Sequence, residues 1–145
     1  MAMIIHGRLA VPLRHLRGKG NRRNKDRMSE TPPTRLKLRL EFGAPLTLGP
    51  GKARLLELID DLGSISAAGR EMGMSYKRAW SLIEEMNAAF ARPVVESSRG
   101  GPGGGGARLT DTGQEVLVRF RKLEAVLLSE GAAEIAALQR LIAGQ

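Results

Sequence analysis

Two short helical segments with only three residues between them constrain this chain more than any other feature of its sequence. Ser66 can cap a helix that runs to about Met72, and Ser75 can cap another helix over about residues 76–89. Gly73 provides the turn between them, because glycine tolerates a positive φ. This spacing predicts a helix-turn-helix, although an ordinary helical corner in an unrelated bundle would have the same pattern.

A glycine-rich segment just downstream favours the helix-turn-helix over the helical corner. The apolar residues around Val94 and Val95 predict a short strand after Pro93, and residues 107–110 predict its partner. A strand, a glycine loop and a second strand form a wing. The predicted wing glycines are Gly100, Gly101, Gly103, Gly104, Gly105 and Gly106.

The spacing of apolar residues completes the predicted core. A first helix over about residues 52–62, ended by Gly63, has apolar residues at helical spacing, namely Leu55, Leu58, Ile59 and Leu62. The helix over residues 76–89 is expected to bury the side that carries Ala79, Leu82, Ile83, Met86 and Phe90. Ahead of both helices, a half-buried strand is predicted by the alternation with charged residues of Leu36, Leu38, Leu40 and Phe42.

A long helix is predicted over residues 112–145, opened by the capping-box spacing of Thr112 and Glu115. Its apolar stripe consists of Val116, Phe120, Leu123, Leu127, Ile135 and Leu138. Because its polar face mixes acidic and basic residues, a partner helix matches this stripe better than a membrane surface does. The sequence therefore predicts a mainly α (α+β) fold, with a winged helix-turn-helix over residues 36–111 and this long helix behind it.

The positive charge of the chain is concentrated near its N-terminus. The formal net charge is +8, and residues 1–35 hold nine Lys or Arg against Asp26 and Glu30, a net of +7. This segment has no sustained apolar period, so it is predicted to be a disordered basic tail, and an overextended start would equally explain residues 1–27. A basic tail fits a polyanion partner, although a solvated arm explains it as well.

Residue types that catalysis commonly uses are scarce. The chain has no cysteine, which excludes disulfides, thiolate nucleophiles and Cys-based metal sites and favours a cytoplasmic location. Its two histidines, His6 and His15, lie in the irregular tail, and no Walker pattern surrounds Lys52. No apolar run approaches the roughly 20 residues that span a bilayer. We therefore expect no enzyme activity, no cofactor, no metal and no membrane segment.

The predicted motif indicates which residues contact DNA. In a helix-turn-helix the second helix enters the major groove, while a wing follows the phosphates or the minor groove. The predicted contacts are Ser75, Tyr76, Lys77, Arg78 and Ser81 on the helix, with Arg99 and Arg108 at the wing. An arginine suits bidentate contact with guanine, but a Lys and Arg pair on a helix is otherwise often a solvated face. Trp80 could either pack beside this face or touch sugar and phosphate.

Three stretches, GSISAAGREMGMSYKRAW, IEEMN and GGPGGGGARLT, closely resemble the N-terminal DNA-binding domain of the ModE family, the molybdate-responsive transcription regulators. That domain is itself similar to the LysR-type winged helix, and the resemblance covers about residues 36–130. It implies a homodimer that binds double-stranded DNA, with the long C-terminal helix in the dimer interface. It also implies control of genes linked to molybdenum.

The chain departs from this family at two places. Its wing has Pro102 where the family commonly has a phosphate-contacting Lys, for which Arg99 could substitute. Full-length members also carry a C-terminal molybdate-binding region, and the oxyanion-binding motif of that region does not occur here. We therefore expect that this chain alone does not bind molybdate.

Three functions compete at this point. A sequence-specific regulator that consists of the DNA-binding module agrees with the exposed pair Lys77 and Arg78. A winged domain that chiefly docks another protein would be favoured by a second helix without base-reading side chains. A catalyst that handles molybdate or a molybdenum cofactor would need ligands or acid-base groups, and the sequence offers no such constellation. The first function is the prediction.

Removal of residues 1–27 is expected to leave the fold intact, because that segment has no periodic apolar face to bury. The melting temperatures of the full and shortened chains test this. A drop of more than about 4 °C, which corresponds to roughly 1 kcal/mol for a domain of this size, would contradict the prediction. Affinity for DNA can still fall, since nonspecific attraction scales with the charge removed.

Overall fold

Helices dominate the computed structural model, which describes residues 33–43, 46–99 and 105–142. The predicted mainly α winged helix-turn-helix is confirmed. Residues 1–32, most of the predicted tail, lie outside the described residues, and residues 33–35 are exposed and irregular. In chain order the described elements are β1 (Leu40–Glu41), β2 (Thr47–Leu48), α1 (Pro50–Leu62), α2 (Ile65–Glu71), α3 (Tyr76–Ala89), β3 (Val95–Ser97), β4 (Ala107–Leu109), α4 (Asp111–Glu130) and α5 (Ala132–Arg140).

The core lies where α1, α3, the β3–β4 hairpin and the first half of α4 meet. Leu55 and Ile59 of α1 are fully buried and belong to one apolar cluster with Ile83 of α3 and Phe120 of α4. Val94, immediately before β3, is fully buried in the same cluster. Since burying a side chain of this size contributes about 1.5–3 kcal/mol, this cluster is the main source of stability.

The turn between α2 and α3 follows the predicted plan except at its first cap. Ser64, not Ser66, caps α2, because its hydroxyl oxygen accepts a hydrogen bond from the Ala67 amide at 3.2 Å. The predicted cap was wrong because α1 ends at Gly63 in the left-handed region, with φ of 64°, and Ser64 then adopts the extended conformation of a cap at once. Gly73, with φ of 66°, makes the predicted turn.

The predicted strand over residues 36–42 is largely unpaired. Only Leu40 and Glu41 pair, in antiparallel fashion, with β2, which the sequence did not suggest. Leu38 and Leu40 pack against the core, but Leu36 and Phe42 are exposed. The alternation therefore predicts burial correctly at the centre of the segment and wrongly at its ends, because β2 offers only two residues to pair with.

Three residues of the predicted apolar helix faces are less buried than expected. Leu62 is exposed, because it occupies the last position of α1, beyond the elements that cover Leu58 and Ile59. Leu82 and Phe90 are partly buried and pack against the margin of the core. The buried side of α3 consists of Ala79, Ile83 and Met86.

The C-terminal helix starts earlier than predicted and is interrupted. Thr110 is its cap, with the side-chain oxygen accepting from the Gly113 amide at 3.0 Å, whereas Thr112 lies inside the first turn. Glu115 makes no capping box because it pairs instead with Arg119 at 2.8 Å. The predicted helix over residues 112–145 is divided at Gly131, whose ψ near 0° ends α4 before α5 begins.

The first half of α4 is part of the core. Phe120 is only 2% exposed within a single chain, so its predicted place in a dimer interface is wrong. Val116 also packs against the core, although it remains partly exposed. Arg121 fixes α4 to α1 by donating to Glu57 at 2.7 Å, and this hydrogen bond lowers the pKa of the Glu57 carboxyl. The same contact raises the pKa of the Arg121 guanidinium.

We predict opposite effects for alanine at two helical glycines. A Cβ at Gly113 would overlap the backbone carbonyl of Val94, whereas a Cβ at Gly51 in α1 would meet nothing within 4 Å. Gly113→Ala should therefore destabilise the fold by about 2–3 kcal/mol or more, as overpacking does. Gly51→Ala should be neutral or stabilise it by up to about 1 kcal/mol. Denaturant midpoints measure both, and equal midpoints for the two variants would contradict this packing.

Candidate nucleic-acid interface

The N-terminal half of α3 is anchored on one side and open on the other. Ser75 caps the helix by accepting a hydrogen bond from the Arg78 amide at 3.2 Å. Ala79 and Ile83 attach the helix to the core. The side chains predicted to contact DNA from this helix are all exposed, namely Ser75, Tyr76, Lys77, Arg78 and Ser81.

The helical period orders these side chains around α3. At about 100° per residue, Lys77 and Ser81 lie near the centre of the face opposite the buried residues. Tyr76 and Trp80 lie on one flank, and Arg78 lies on the other. Each flank borders a concave surface, so the centre of the face forms a ridge between two depressions.

The larger depression, here called the wing cleft, has a volume of about 730 Å³ and lies between α2, α3 and the wing. It is lined mainly by polar and aromatic side chains, among them Ser64, Ser66, Arg70, Tyr76, Trp80 and Arg99. Arg70 was not among the predicted contacts. Its position in the last turn of α2 was visible in the sequence, but that α2 faces the same cleft as the wing emerges only from the fold.

The two aromatic residues of the cleft stack on each other. The rings of Tyr76 and Trp80 are 6.3 Å apart at their centroids and inclined by 20°. Trp80 also packs against the core while it lines the cleft, and Tyr76 is 58% exposed. Trp80 therefore supports the cleft wall by packing and also presents one edge to it.

The wing carries one exposed arginine that an acidic neighbour engages. Val95–Ser97 and Ala107–Leu109 pair in antiparallel register, which places Glu96 opposite Arg108. Their side chains form an ion pair of 2.9 Å, and both are largely exposed. Sequence reasoning selected Arg108 and missed Glu96, because the register that places them opposite each other emerges only from the structure. Arg99 is exposed two residues beyond the end of β3.

Only part of the predicted glycine wing can be located. Gly105 and Gly106 are exposed and line the wing cleft, whereas Gly100, Gly101, Gly103 and Gly104 lie outside the described residues. The base of the wing is held to α1, since the Ala107 amide donates to the Gly63 carbonyl at 2.9 Å.

On the flank of α3 that carries Arg78, a largely buried lysine fixes α3 against α1. Lys52 donates to the Thr47 carbonyl at 2.7 Å and to the carboxylate of Glu85 on α3, and its side chain is only 11% exposed. This pair orients the exposed face of α3 but does not form part of that face. The smaller depression nearby, of about 330 Å³, is lined by Arg39 and Arg78.

The residues that the structure describes meet the requirements neither of a metal site nor of a membrane-spanning helix. No group of three His, Cys, Asp or Glu side chains in those residues could hold a metal ion. No helix among them is long and apolar enough to cross a membrane.

Comparison with known proteins favours a helix-turn-helix over an ordinary helical corner. Residues 51–114, from α1 to the first turn of α4, match the family described as bacterial regulatory helix-turn-helix protein, lysR family. The matched residues hold α1, α2, α3 and the β3–β4 hairpin, which are the elements of a winged helix-turn-helix. In this arrangement α3 takes the position of the recognition helix, and the β3–β4 hairpin takes the position of the wing.

Three curated relatives are similar to more than half of this chain. The molybdenum-pterin-binding protein MopA of Rhodobacter capsulatus is 45% identical over 85 residues, which are 59% of this chain and 32% of MopA. The molybdenum transport protein ModE of Azotobacter vinelandii is 38% identical over 61% of this chain and 33% of its own length. The DNA-binding transcriptional dual regulator ModE of Escherichia coli K12 is 42% identical over 55% of this chain and 30% of its own length.

The chain thus spans about a third of the length of the curated relatives it matches. Over the matched residues, the resemblance to the ModE-family DNA-binding domain is confirmed.

We predict that Glu96→Gln strengthens binding to any duplex DNA. The change removes a negative charge from the wing and releases Arg108 from its ion pair, so one more cation becomes available to phosphate. Affinity should rise several-fold, and the salt dependence should steepen by about one unit per half-site. Glu115→Gln is the matched control, because it removes the same charge from an ion pair on α4. Equal gains for both variants would show that Arg108 does not reach the DNA.

Proposed function

We propose that this chain is a sequence-specific DNA-binding transcription regulator and not an enzyme. The observation that carries the proposal is the exposed N-terminal half of α3, flanked by the wing cleft and presented by a LysR-type helix-turn-helix. Relatives with this domain are named as transcription regulators, which supports the same conclusion.

Base reading is assigned to the exposed face of α3. In this docking mode the N-terminal residues of the recognition helix contact base edges in the major groove. The side chains of Lys77, Arg78 and Ser81 make no ion pair and no hydrogen bond with the part of the chain that the structure describes, and the bond from Arg78 to Ser75 comes from its backbone amide. A guanidinium such as that of Arg78 can donate two parallel hydrogen bonds to a guanine.

Phosphate contacts are assigned to the cleft and the wing. Arg70 and Arg99 line the wing cleft from α2 and from the wing, and Arg108 is exposed on β4. The Ser75 hydroxyl uses its oxygen to cap α3, which leaves its hydrogen available to a phosphate oxygen. Such contacts fix the position of a protein on the duplex without reading its sequence.

A second copy of this chain is proposed to cover the exposed apolar side of α4 and α5. Leu123 and Leu127 are each 43% exposed and Leu138 is 64% exposed, whereas Ile135 is partly buried. These four are the predicted dimer residues that remain after Phe120 and Val116 are assigned to the core. Val126, Leu128, Leu141 and Ile142 are also exposed apolar residues of this region that the sequence analysis did not select.

A link to molybdenum is the remaining part of the proposal. MopA is named as a molybdenum-pterin-binding protein and the Azotobacter vinelandii ModE as a molybdenum transport protein. We propose that the genes controlled by this chain serve molybdenum uptake or use, on the basis of these names and of the similar DNA-binding domain.

Replacing Arg78 and Arg99 separately tests the division between base reading and phosphate contact. Arg78→Ala is expected to relax sequence preference, since a bidentate contact with guanine contributes about 1–3 kcal/mol of discrimination. Arg99→Ala is expected to weaken binding to all sequences alike and to make the salt dependence shallower by about one unit per half-site. Affinities on a selected site and on a scrambled duplex, at several salt concentrations, measure both effects.

Both variants must first be shown to fold, by circular dichroism and by mass in solution. Arg119→Ala, on the exposed surface of α4, controls for the loss of one positive charge. If Arg78→Ala lowers both affinities equally, Arg78 does not read bases, and Lys77 or Ser81 at the centre of the exposed face takes that role.

Two charge insertions on α4 test the proposed dimer. Leu127→Glu would place a carboxylate on the uncovered apolar side, so it is expected to convert a dimer to a monomer in sedimentation equilibrium. Val118→Glu is the matched control, since Val118 is 62% exposed but lies on a different side of α4. A monomeric wild-type chain, or equal effects of the two substitutions, would refute this interface.

A further inference from the structure

Asn87, in the last turn of the recognition helix, makes three hydrogen bonds to the base of the wing. Its Oδ1 accepts from the Val94 amide at 2.8 Å and from the Val95 amide at 3.1 Å. Its Nδ2 donates to the Val95 carbonyl at 3.0 Å. The stretch IEEMN, in which Asn87 is the last residue, resembled the ModE domain, but none of the roles assigned so far accounts for it.

The strand register explains why these backbone groups need a partner. Val95 pairs with Leu109, and the Thr110 amide donates to the Val94 carbonyl at 3.0 Å, which makes Val95–Leu109 a non-hydrogen-bonded pair. The amide and carbonyl of Val95 therefore face away from β4. Asn87 satisfies both, as the peptide group of a neighbouring strand would.

Burial makes these bonds important. Val94 is 0% exposed and Val95 is 4% exposed, so water would poorly replace a lost partner of their backbone groups. Only a carboxamide offers an acceptor oxygen and a donor nitrogen side by side. A carboxylate would keep the two accepted bonds and lose the donated one, and an alanine would lose all three.

Other contacts hold the base of the wing to elements other than α3. The Thr110 hydroxyl donates to the Pro93 carbonyl at 2.6 Å, and the Ala107 amide donates to the Gly63 carbonyl. Within the described residues, the hydrogen bonds that join α3 to Val94 and β3 all come from Asn87.

We propose that Asn87 is a positioning residue that sets the wing relative to the recognition helix, so that Arg99 reaches phosphate while α3 lies in the major groove. The proposal rests on the proposed function for its consequence at DNA. Its structural half, the coupling of α3 to β3 by one carboxamide, applies to the free protein as well.

Hydrogen exchange in the free chain tests the structural half. Asn87→Ala is expected to speed exchange of the Val94 and Val95 amides at least about tenfold while Ile59 in α1 keeps its protection. Gln114→Ala is the matched control, since it removes a carboxamide that joins α4 to Asp60, away from β3. Unchanged hairpin exchange, or an equal rise in α1, would overturn the proposal.

Asn87→Asp keeps the experiment decisive if Asn87→Ala does not fold. It retains the accepting oxygen and loses only the donor to the Val95 carbonyl. A hairpin-selective rise in exchange, smaller than that of a folded Asn87→Ala, supports the coupling. If the Val94 and Val95 amides of Asn87→Asp exchange at the wild-type rate, the hydrogen bond donated to the Val95 carbonyl does not couple α3 to the wing. That result would overturn the proposal.

A double-mutant cycle with Arg99 tests the consequence at DNA. In the wild-type background Arg99→Ala should make the salt dependence of binding shallower by about one unit per half-site. In the Asn87→Asp background the same change should have a clearly smaller effect, because one of the three hydrogen bonds that set the wing is lost. Full additivity would overturn the proposal, since a merely destabilised protein would keep the Arg99 effect. Absence of any DNA binding by wild type would instead refute the proposed function, and hydrogen exchange would still decide the coupling.

Discussion

The close contact between α2 and α3 at Gly69 is the constraint on which the rest of the structure depends. A Cβ at Gly69 would lie 3.3 Å from the Cβ of Ala79 and 3.4 Å from the Met74 carbonyl, so a side chain there would require its neighbours to move by a few tenths of an ångström. The Met74 amide donates to the Gly69 carbonyl at 2.9 Å and fixes the turn. Once this contact is set, Ala79 and Ile83 face the core, and Lys77 and the residues around it face solvent.

The wing and α4 depend on the same frame through the segment that follows α3. This segment is bonded to α3 through Asn87 and to the cap of α4 through Thr110, while Gly113 packs directly against the Val94 carbonyl. A change in any of these contacts would move the wing relative to the recognition helix. The surface proposed to contact DNA is therefore formed by three elements together and not by α3 alone.

Features with a local cause could be predicted from the sequence, and those that depend on tertiary packing could not. The turn at Gly73, the cap at Ser75 and the pairing of the wing strands follow from residues close in the chain. Phe120 has the same helical spacing as the exposed leucines of α4, and only the packing of α4 against α1 distinguishes them. Arg70 was missed for the same reason, since its place in the wing cleft depends on how α2 crosses α3.

We propose that α3 reads a DNA sequence and that two copies of the chain do so together. Selection of bound duplexes from a random DNA pool with the full chain tests both parts most directly. We expect enrichment of an inverted repeat whose half-site centres lie about 10 base pairs, or a multiple of that, apart. Failure to enrich any sequence above nonspecific binding would contradict base reading by α3, and enrichment of a single half-site would contradict the paired arrangement.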